Sequence, residues 1–370
     1  MSRILVIGGY GAFGARVSER LSREPNLEVI IAGRREDAAR AYAGELSRTA
    51  RAPVSHAVLD AATVRPEDIG VLGARVLINA SGPFQAQSYA LARACIEVRC
   101  HYVDLADARA FVTGITELDG EACAAGVSVI SGASSVPGLS SAVVTAYASE
   151  LHTLEAVDIG ISPGNSFDPG VATVASILGA VGKPHAVLTR GRWRTVYGWQ
   201  GLHRHRFPGI GTRFMSNVEV PDLDLLPQRF PSLTTACFSA GLEVDAFHLG
   251  LWGLSWLKRA QLVRDPASLA EPLLRTKRRF HGLGSIVGAM FVRLSGRDVN
   301  GGARALEWTL IARSDDGPYV PAIASVILAK RLVAGTGPAP GAQPCFGLFA
   351  LADFEAEVSD LDITFNLERR

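Results

Sequence analysis

Ile4-Leu5-Val6-Ile7-Gly8-Gly9-Tyr10-Gly11-Ala12-Phe13-Gly14-Ala15-Arg16 runs a short apolar strand straight into a glycine-spaced turn. Gly9, Gly11 and Gly14 fit the spacing G-x-G-x-x-G, with Tyr10, Ala12 and Phe13 between them. In that pattern the first glycine allows the turn out of the strand, the second lets backbone approach a pyrophosphate, and the third lets the next helix pack close. Amides at that helix's N-terminus then meet the phosphates with the positive end of the helix dipole. Glycine is abundant in this chain, so the spacing alone says little. The buried strand before it and the helical pair Val17 and Leu21 after it make this a predicted dinucleotide site.

The second strand selects the dinucleotide. Val29-Ile30-Ile31-Ala32-Gly33 is apolar and rich in β-branched residues, as a parallel strand buried on both faces should be. Where an NAD site places a carboxylate for the ribose hydroxyls, this chain continues with Arg34-Arg35. A carboxylate repels a 2′-phosphate, whereas a guanidinium pairs with it and stacks on adenine. The expected cofactor is NADP(H), with Arg34 and Arg35 among its contacts; the competing reading is a solvated basic start to the next helix.

Composition bounds the rest. The 370 residues exceed a single nucleotide-binding unit and suggest two lobes, and 48% hydrophobic against 20% charged residues describes a well-packed globular chain. A net charge of +1 gives no electrostatic case for nucleic acid. Five cysteines without paired or zinc-ligand spacing imply free thiols in a reducing cytoplasm and no metal site. Met1 leads directly into the first strand, leaving no room for a signal peptide, and no stretch reads as a membrane span.

Strand and helix alternate through the first third. A helix over Asp37 to Ala50 is followed by a strand at Ser55–Leu59 that ends at Asp60, another at Arg75–Ala80, the segment Ser81-Gly82-Pro83-Phe84, and a helix to about Cys95. His101–Leu105 and Val127–Ser131 complete the series. Such alternation implies right-handed crossovers and a doubly wound parallel sheet of Rossmann type, with ligands at the carboxyl ends of its strands. Near Val136-Pro137-Gly138 the pattern changes. Expected strands at Ala156–Ser162, Arg192–Trp199, Thr234–Val244, Ala289–Leu294 and Arg304–Ala312 read as antiparallel, the last two joined by a hairpin loop at 296–302. The fold class is therefore α/β: a Rossmann domain at 1–135, with a returning helix within about 318–350, plus an inserted α+β substrate and dimerisation domain at 136–317. A strand at about 358–368 is expected to join the second.

The opening glycine turn, Ser81-Gly82-Pro83-Phe84, His101-Tyr102-Val103-Asp104-Leu105 and Gly132-Ala133-Ser134-Ser135-Val136-Pro137-Gly138 together resemble the saccharopine dehydrogenase-like oxidoreductases over roughly the first 150 residues. The resemblance implies a Rossmann lobe, an inserted substrate lobe and a nicotinamide cofactor. It also implies reduction of imines formed between an amino acid and a carbonyl compound or, in other members, of lipid-like enoyl substrates. One departure bears on substrate. Where saccharopine-forming members carry an aspartate before Pro-Gly, this chain has Val136, and the preceding Ser134 and Ser135 cannot supply the negative charge that favours a cationic amine. Saccharopine itself is disfavoured.

Two kinds of residue follow as candidates. For the cofactor they are Gly9, Tyr10, Gly11, Ala12, Phe13, Gly14, Arg34, Arg35, Asp60, Ser81, Gly82, Pro83 and Phe84. For proton transfer to the substrate they are Tyr102, Asp104 and Ser135, weighed against the reading that Asp104 and the serines merely cap helices. The expected activity is NADPH-dependent hydride transfer to a C=N, C=O or C=C bond of a small or lipid-like substrate held between the lobes. The alternatives are a carrier-bound enoyl or keto reductase at a membrane surface, and a non-catalytic NADP-binding sensor. Basic residues at Arg190–Arg194 and His203–Arg206, with Arg213, face either an anionic group or solvent. The apolar run Ala246–Val263, ending in Lys258 and Arg259, fits a peripheral membrane contact, a substrate roof or a homodimer interface.

Overall fold

The computed structural model describes every residue except 169, 280 and 281. The chain forms two compact units, Met1–Leu139 with Pro318–Glu357 and Ser140–Gly317 with Val358–Arg370.

In the first unit the strands are β1 (Ser2–Ile7), β2 (Leu27–Gly33), β3 (Val54–Val58), β4 (Val76–Asn79), β5 (His101–Asp104) and β6 (Ser128–Ser131), with β15 (Gly341–Pro344) returning late in the chain. The helices are α1 (Gly14–Ser22), α2 (Glu36–Leu46), α3 (Pro66–Leu72), α4 (Ala90–Glu97), α5 (Arg109–Gly114), α6 (Asp119–Ala125), and later α12 (Val320–Ala334) and α13 (Leu351–Glu357). All seven strands run parallel in the order β15-β6-β5-β4-β1-β2-β3. Strand order reverses between β1 and β4, so their carboxyl ends open the crevice in which a doubly wound sheet binds its ligand. Along that edge Ile7 stands in register with Ala32 and Asn79, and Asn79 with Asp104. The sheet centre is apolar on both faces: Ile4, Leu5, Val6, Val29, Ile31, Leu77 and Val103 are fully buried.

One expectation is corrected here. The stretch Gly317–Ala334 does have the length and apolarity of a membrane span, but 67% of it is buried inside the fold. Its helix, α12, packs on α1, β4 and β5. A helix that is apolar nearly all round is what an interior position requires.

The second unit holds a nine-stranded mixed sheet. Its strands are β7 (Thr153–Ser162), β8 (Pro184–Thr189), β9 (Arg192–Tyr197), β10 (His203–Phe207), β11 (Gly211–Asn217), β12 (Thr235–Ala240), β13 (Gly288–Arg297), β14 (Ala303–Ala312) and β16 (Ile363–Arg369). Its helices are α7 (Ser140–Tyr147), α8 (Gly170–Ala180), α9 (Asp222–Arg229), α10 (Asp245–Arg259) and α11 (Ala270–Arg279). The expected hairpin joins β13 to β14, and β16 pairs antiparallel with β14. The sheet is not wholly antiparallel, however: β12 pairs parallel with β7. The long connection between them supplies the crossover that a parallel pair needs.

Candidate functional site

The first turn is set by backbone geometry. Gly8, one residue ahead of the motif, is the residue with positive φ (77°), and Gly8 and Gly9 both donate to the Ala32 carbonyl at 2.8 and 3.2 Å. The sharp turn expected at Gly9 therefore belongs to Gly8, whose added Cβ would also stand 2.9 Å from the Ala80 carbonyl oxygen. Gly9 is needed for contact instead, since its Cβ would lie 2.8 Å from the Val6 carbonyl oxygen. At Gly14 a Cβ would come within 2.1 Å of the Gly8 carbonyl oxygen, so α1 starts hard against the turn. No side chain caps α1 at Phe13, and no acid lies in its first turn. That leaves an N-terminus suited to an anion.

Tyr10 bridges the turn to the end of β2. Its hydroxyl accepts from the Arg35 amide at 3.1 Å, and the Arg35 guanidinium lies 5.5 Å from its ring centroid. Arg34 and Arg35 are exposed and, among the described residues, neither makes an ion pair with a carboxylate. Asp60, just past β3, is half-buried and accepts from the Ala62 amide at 3.1 Å, which turns the chain there. Two unneutralised guanidiniums, an uncapped helix start and glycines that a Cβ would block fit a dinucleotide with a 2′-phosphate.

The segment after β4 is held from below. Asn79, fully buried, accepts from the Ser81 amide and hydroxyl at 3.0 and 2.5 Å and donates to the Tyr102 hydroxyl at 3.2 Å. Gln87 donates to the Ser81 and Pro83 carbonyls at 2.7 and 3.2 Å. Gly82 and Pro83 are exposed at the tip, while Phe84 turns inward against Phe111, 5.6 Å between ring centroids. Phe84 thus anchors the loop rather than presenting a ring to a ligand.

Asp104 closes the neighbouring strand. Its Oδ1 accepts from the Ala106 amide (3.0 Å), the Gly132 amide (2.8 Å) and the Ser131 hydroxyl (2.9 Å). Asp104 is desolvated, as the reading of an acid past an apolar strand expects, but it caps no helix: its carboxyl group pins the loops after β5 and β6 to one another. Burial pushes its pKa up to about 6, against the opposing pull of the Gly132 and Ala106 amides, Ser131 and Tyr102. Among the described residues, Asp104 Oδ2 is buried without a hydrogen bond.

Asp104 and Tyr102 are 0% and 1% exposed, so neither touches a substrate in this conformation. Burial likewise pushes the Tyr102 hydroxyl well above its usual range. In this structure both side chains bind other parts of the same unit, Tyr102 accepting from Asn79 and Asp104 from the Ala106 and Gly132 amides. Ser135 lies beyond the turn opened by Gly132 (φ 81°), and its hydroxyl makes no side-chain hydrogen bond among the described residues. Asn79, Gln87, Ser131 and Gly8 complete the site and were not anticipated. The available signal was a polar residue ending each apolar strand, at Asn79 and Ser131.

The basic residues of the second unit divide. Arg192, Arg194, Arg204 and Arg206 face solvent, whereas Arg213 is 4% exposed. It donates to the Ser162 and Val287 carbonyls, both at 2.9 Å, and pairs with Glu243.

Residues 4–130 match the family model described as saccharopine dehydrogenase NADP binding domain. Among solved structures, the chain is similar to apo saccharopine dehydrogenase (L-Glu forming) from Saccharomyces cerevisiae, with a TM-score of 0.73, 13% identity and 100% of each chain covered. It is also similar to a probable dehydrogenase from Thermotoga maritima, with a TM-score of 0.49, 10% identity, and 96% of this chain and 93% of that one covered. At 13% identity the likeness to the yeast enzyme speaks for the fold alone. No curated protein matches in sequence.

Proposed function

We propose, on the premise that this chain is a member of the saccharopine dehydrogenase-like family of NADP(H)-binding oxidoreductases, that it reduces a polarised C=N, C=O or conjugated C=C bond of a small or lipid-like substrate. The substrate would lie beside the carboxyl ends of β4, β5 and β6. Bound NADPH supplies the hydride.

The observation that carries this reading is the shared support under the three loops. Asn79 and Gln87 hold the Ser81–Phe84 segment, while Asp104 ties the loop after β5 to the Gly132 turn. Those loops flank the strand-order reversal, where a nicotinamide ring and its acceptor have to be oriented. Arg34 and Arg35 hold the 2′-phosphate, and amides of the Gly9–Gly14 turn hold the pyrophosphate. Ser135, like its neighbour Ser134, has a hydroxyl with no side-chain hydrogen bond among the described residues, and it hydrogen-bonds the acceptor atom as charge develops on it. Asp104 and Tyr102 act as positioning residues.

Titration with NADPH and NADH, followed by single-turnover assays with 4-deuterated NADPH on amine-plus-keto-acid, ketone and enoyl panels, tests the proposal. Tighter binding of NADH, or no label transfer in any panel, would overturn it. Ser135→Ala should lower kcat far more than it changes NADPH affinity.

A further inference from the structure

The middle of helix α10 is packed with its polar residues inward, while Asp245 and Arg259 at its ends are exposed. The two residues it buries are His248 and Ser255. The His248 ring meets the Ser216 hydroxyl at 2.9 Å through Nε2 and accepts from the Leu242 amide at 3.3 Å through Nδ1, and Ser255 donates to the Trp252 carbonyl at 2.6 Å. Its exposed positions between Asp245 and Arg259 are Ala246, Leu249, Gly250, Trp256 and Leu257, with no charged or polar side chain among them. Leu249, Trp256 and Leu257 are 39%, 46% and 45% exposed. A surface helix of a globular domain ordinarily shows the reverse arrangement.

The apolar exposure continues along the chain. Leu262 is 74% exposed, and Leu269 and Leu273 stand out from the segment that leads into α11 and from α11 itself. Leu251 and Leu254 of α10 pack against the cluster of Leu178, Val181, Trp199 and Ala270, and α11 rests on α8. Residues 245–286 carry seven Lys or Arg against three Asp or Glu, in a chain whose net charge is only +1. Arg264 and Arg279 are exposed. An isologous dimer would lay this basic patch on its own copy and oppose like charges. An anionic lipid surface accepts the leucines and the tryptophan into its acyl boundary and pairs the flanking cations with headgroups.

We propose that the outward face of α10, with Leu262 and the exposed leucine of α11, docks this protein on a bilayer surface containing anionic lipid. The inference stands on the second unit alone and does not depend on the reaction assigned to the first.

Flotation of the full chain with phosphatidylcholine vesicles, and with vesicles mixing phosphatidylglycerol into phosphatidylcholine, tests it. Binding is expected only to the anionic vesicles and should fall as salt rises. Leu249→Ser/Leu257→Ser should weaken binding about tenfold or more. Arg264→Glu/Arg279→Glu should abolish preference for the anionic lipid. NADPH affinity, as a check of folding, should be unchanged in both variants. Equal binding by the leucine variant and the wild type would overturn the proposal. So would a wild-type dimer in light scattering that the leucine variant splits, with no flotation of either.

Discussion

The Tyr10 ring occupies the space where any side chain on Gly33 would begin: a Cβ there would stand 2.5 Å from Tyr10 Cε1 and 2.6 Å from its hydroxyl oxygen. The glycine ending β2 and the tyrosine of the first turn therefore form one unit, and the Arg35 amide is fixed to it through the Tyr10 hydroxyl. Gly33→Ala should displace the ring, unseat the arginines and weaken NADPH binding about tenfold. Wild-type-like titration curves for that variant would refute the coupling. Tyr10→Phe, which keeps the ring, should cost roughly 1 kcal/mol or less.

Arg34→Ala should reduce NADPH affinity by one to two powers of ten, about the worth of a charge-assisted hydrogen bond to phosphate, and leave NADH affinity nearly unchanged. The quantity to measure is the ratio of the two dissociation constants. A parallel loss for both cofactors would mean that the residue shapes the loop and does not read the 2′-phosphate.

Asp104→Asn keeps an acceptor oxygen for Gly132, Ala106 and Ser131 while removing the ionisable group. The folded pKa of about 6 lies above the ordinary aspartate value of 3.8. As pH rises, the unfolded chain releases this proton first, so the group's share of stability is full below pH ~4, falls between ~4 and ~6, and stays low above that. The variant should lose that pH-dependent fall and be more stable at pH ~7, on the order of 1–3 kcal/mol. Denaturant midpoints across the pH range check this. A variant less stable than wild type at neutral pH would show that the ionised carboxylate is needed.

Gln87→Ala removes the two donors that hold the Ser81–Phe84 segment from one side. Stability should drop by about 1–2 kcal/mol. The loss in kcat/KM should exceed the loss in NADPH affinity, since the loop orients and does not anchor. Steady-state kinetics beside cofactor titration separates the two effects.

The doubly wound sheet was legible because its evidence is local: an apolar strand, three spaced glycines, and basic residues where an acid would stand. Strand ends at Asp60, Asn79, Asp104 and Ser131 were legible too, but what they do was not. Whether Asp104 opens to solvent or turns back on Ser131 and Gly132 depends on residues 27 and 28 positions away. The parallel pairing of β7 with β12 escaped for the same reason, since strand direction is set by a connection and not by alternation. Gly8 was passed over because a motif read by spacing ignores the glycine that precedes it. In β10, His205 and Phe207 point inward while Arg204 and Arg206 point out, so a stretch that looked uniformly basic was an ordinary alternating strand.

Strand β15 lies at the edge of the first sheet beside β6, and α12 covers β4 and β5, yet both come from the segment Pro318–Glu357. During synthesis the six strands of Met1–Leu139 emerge long before their cover does. Until the ribosome has delivered that late segment, the β6 edge and the apolar bed for α12 stand open to other chains. The nucleotide unit begins first and is completed nearly last, since it cannot close before the chain through Glu357 has been made.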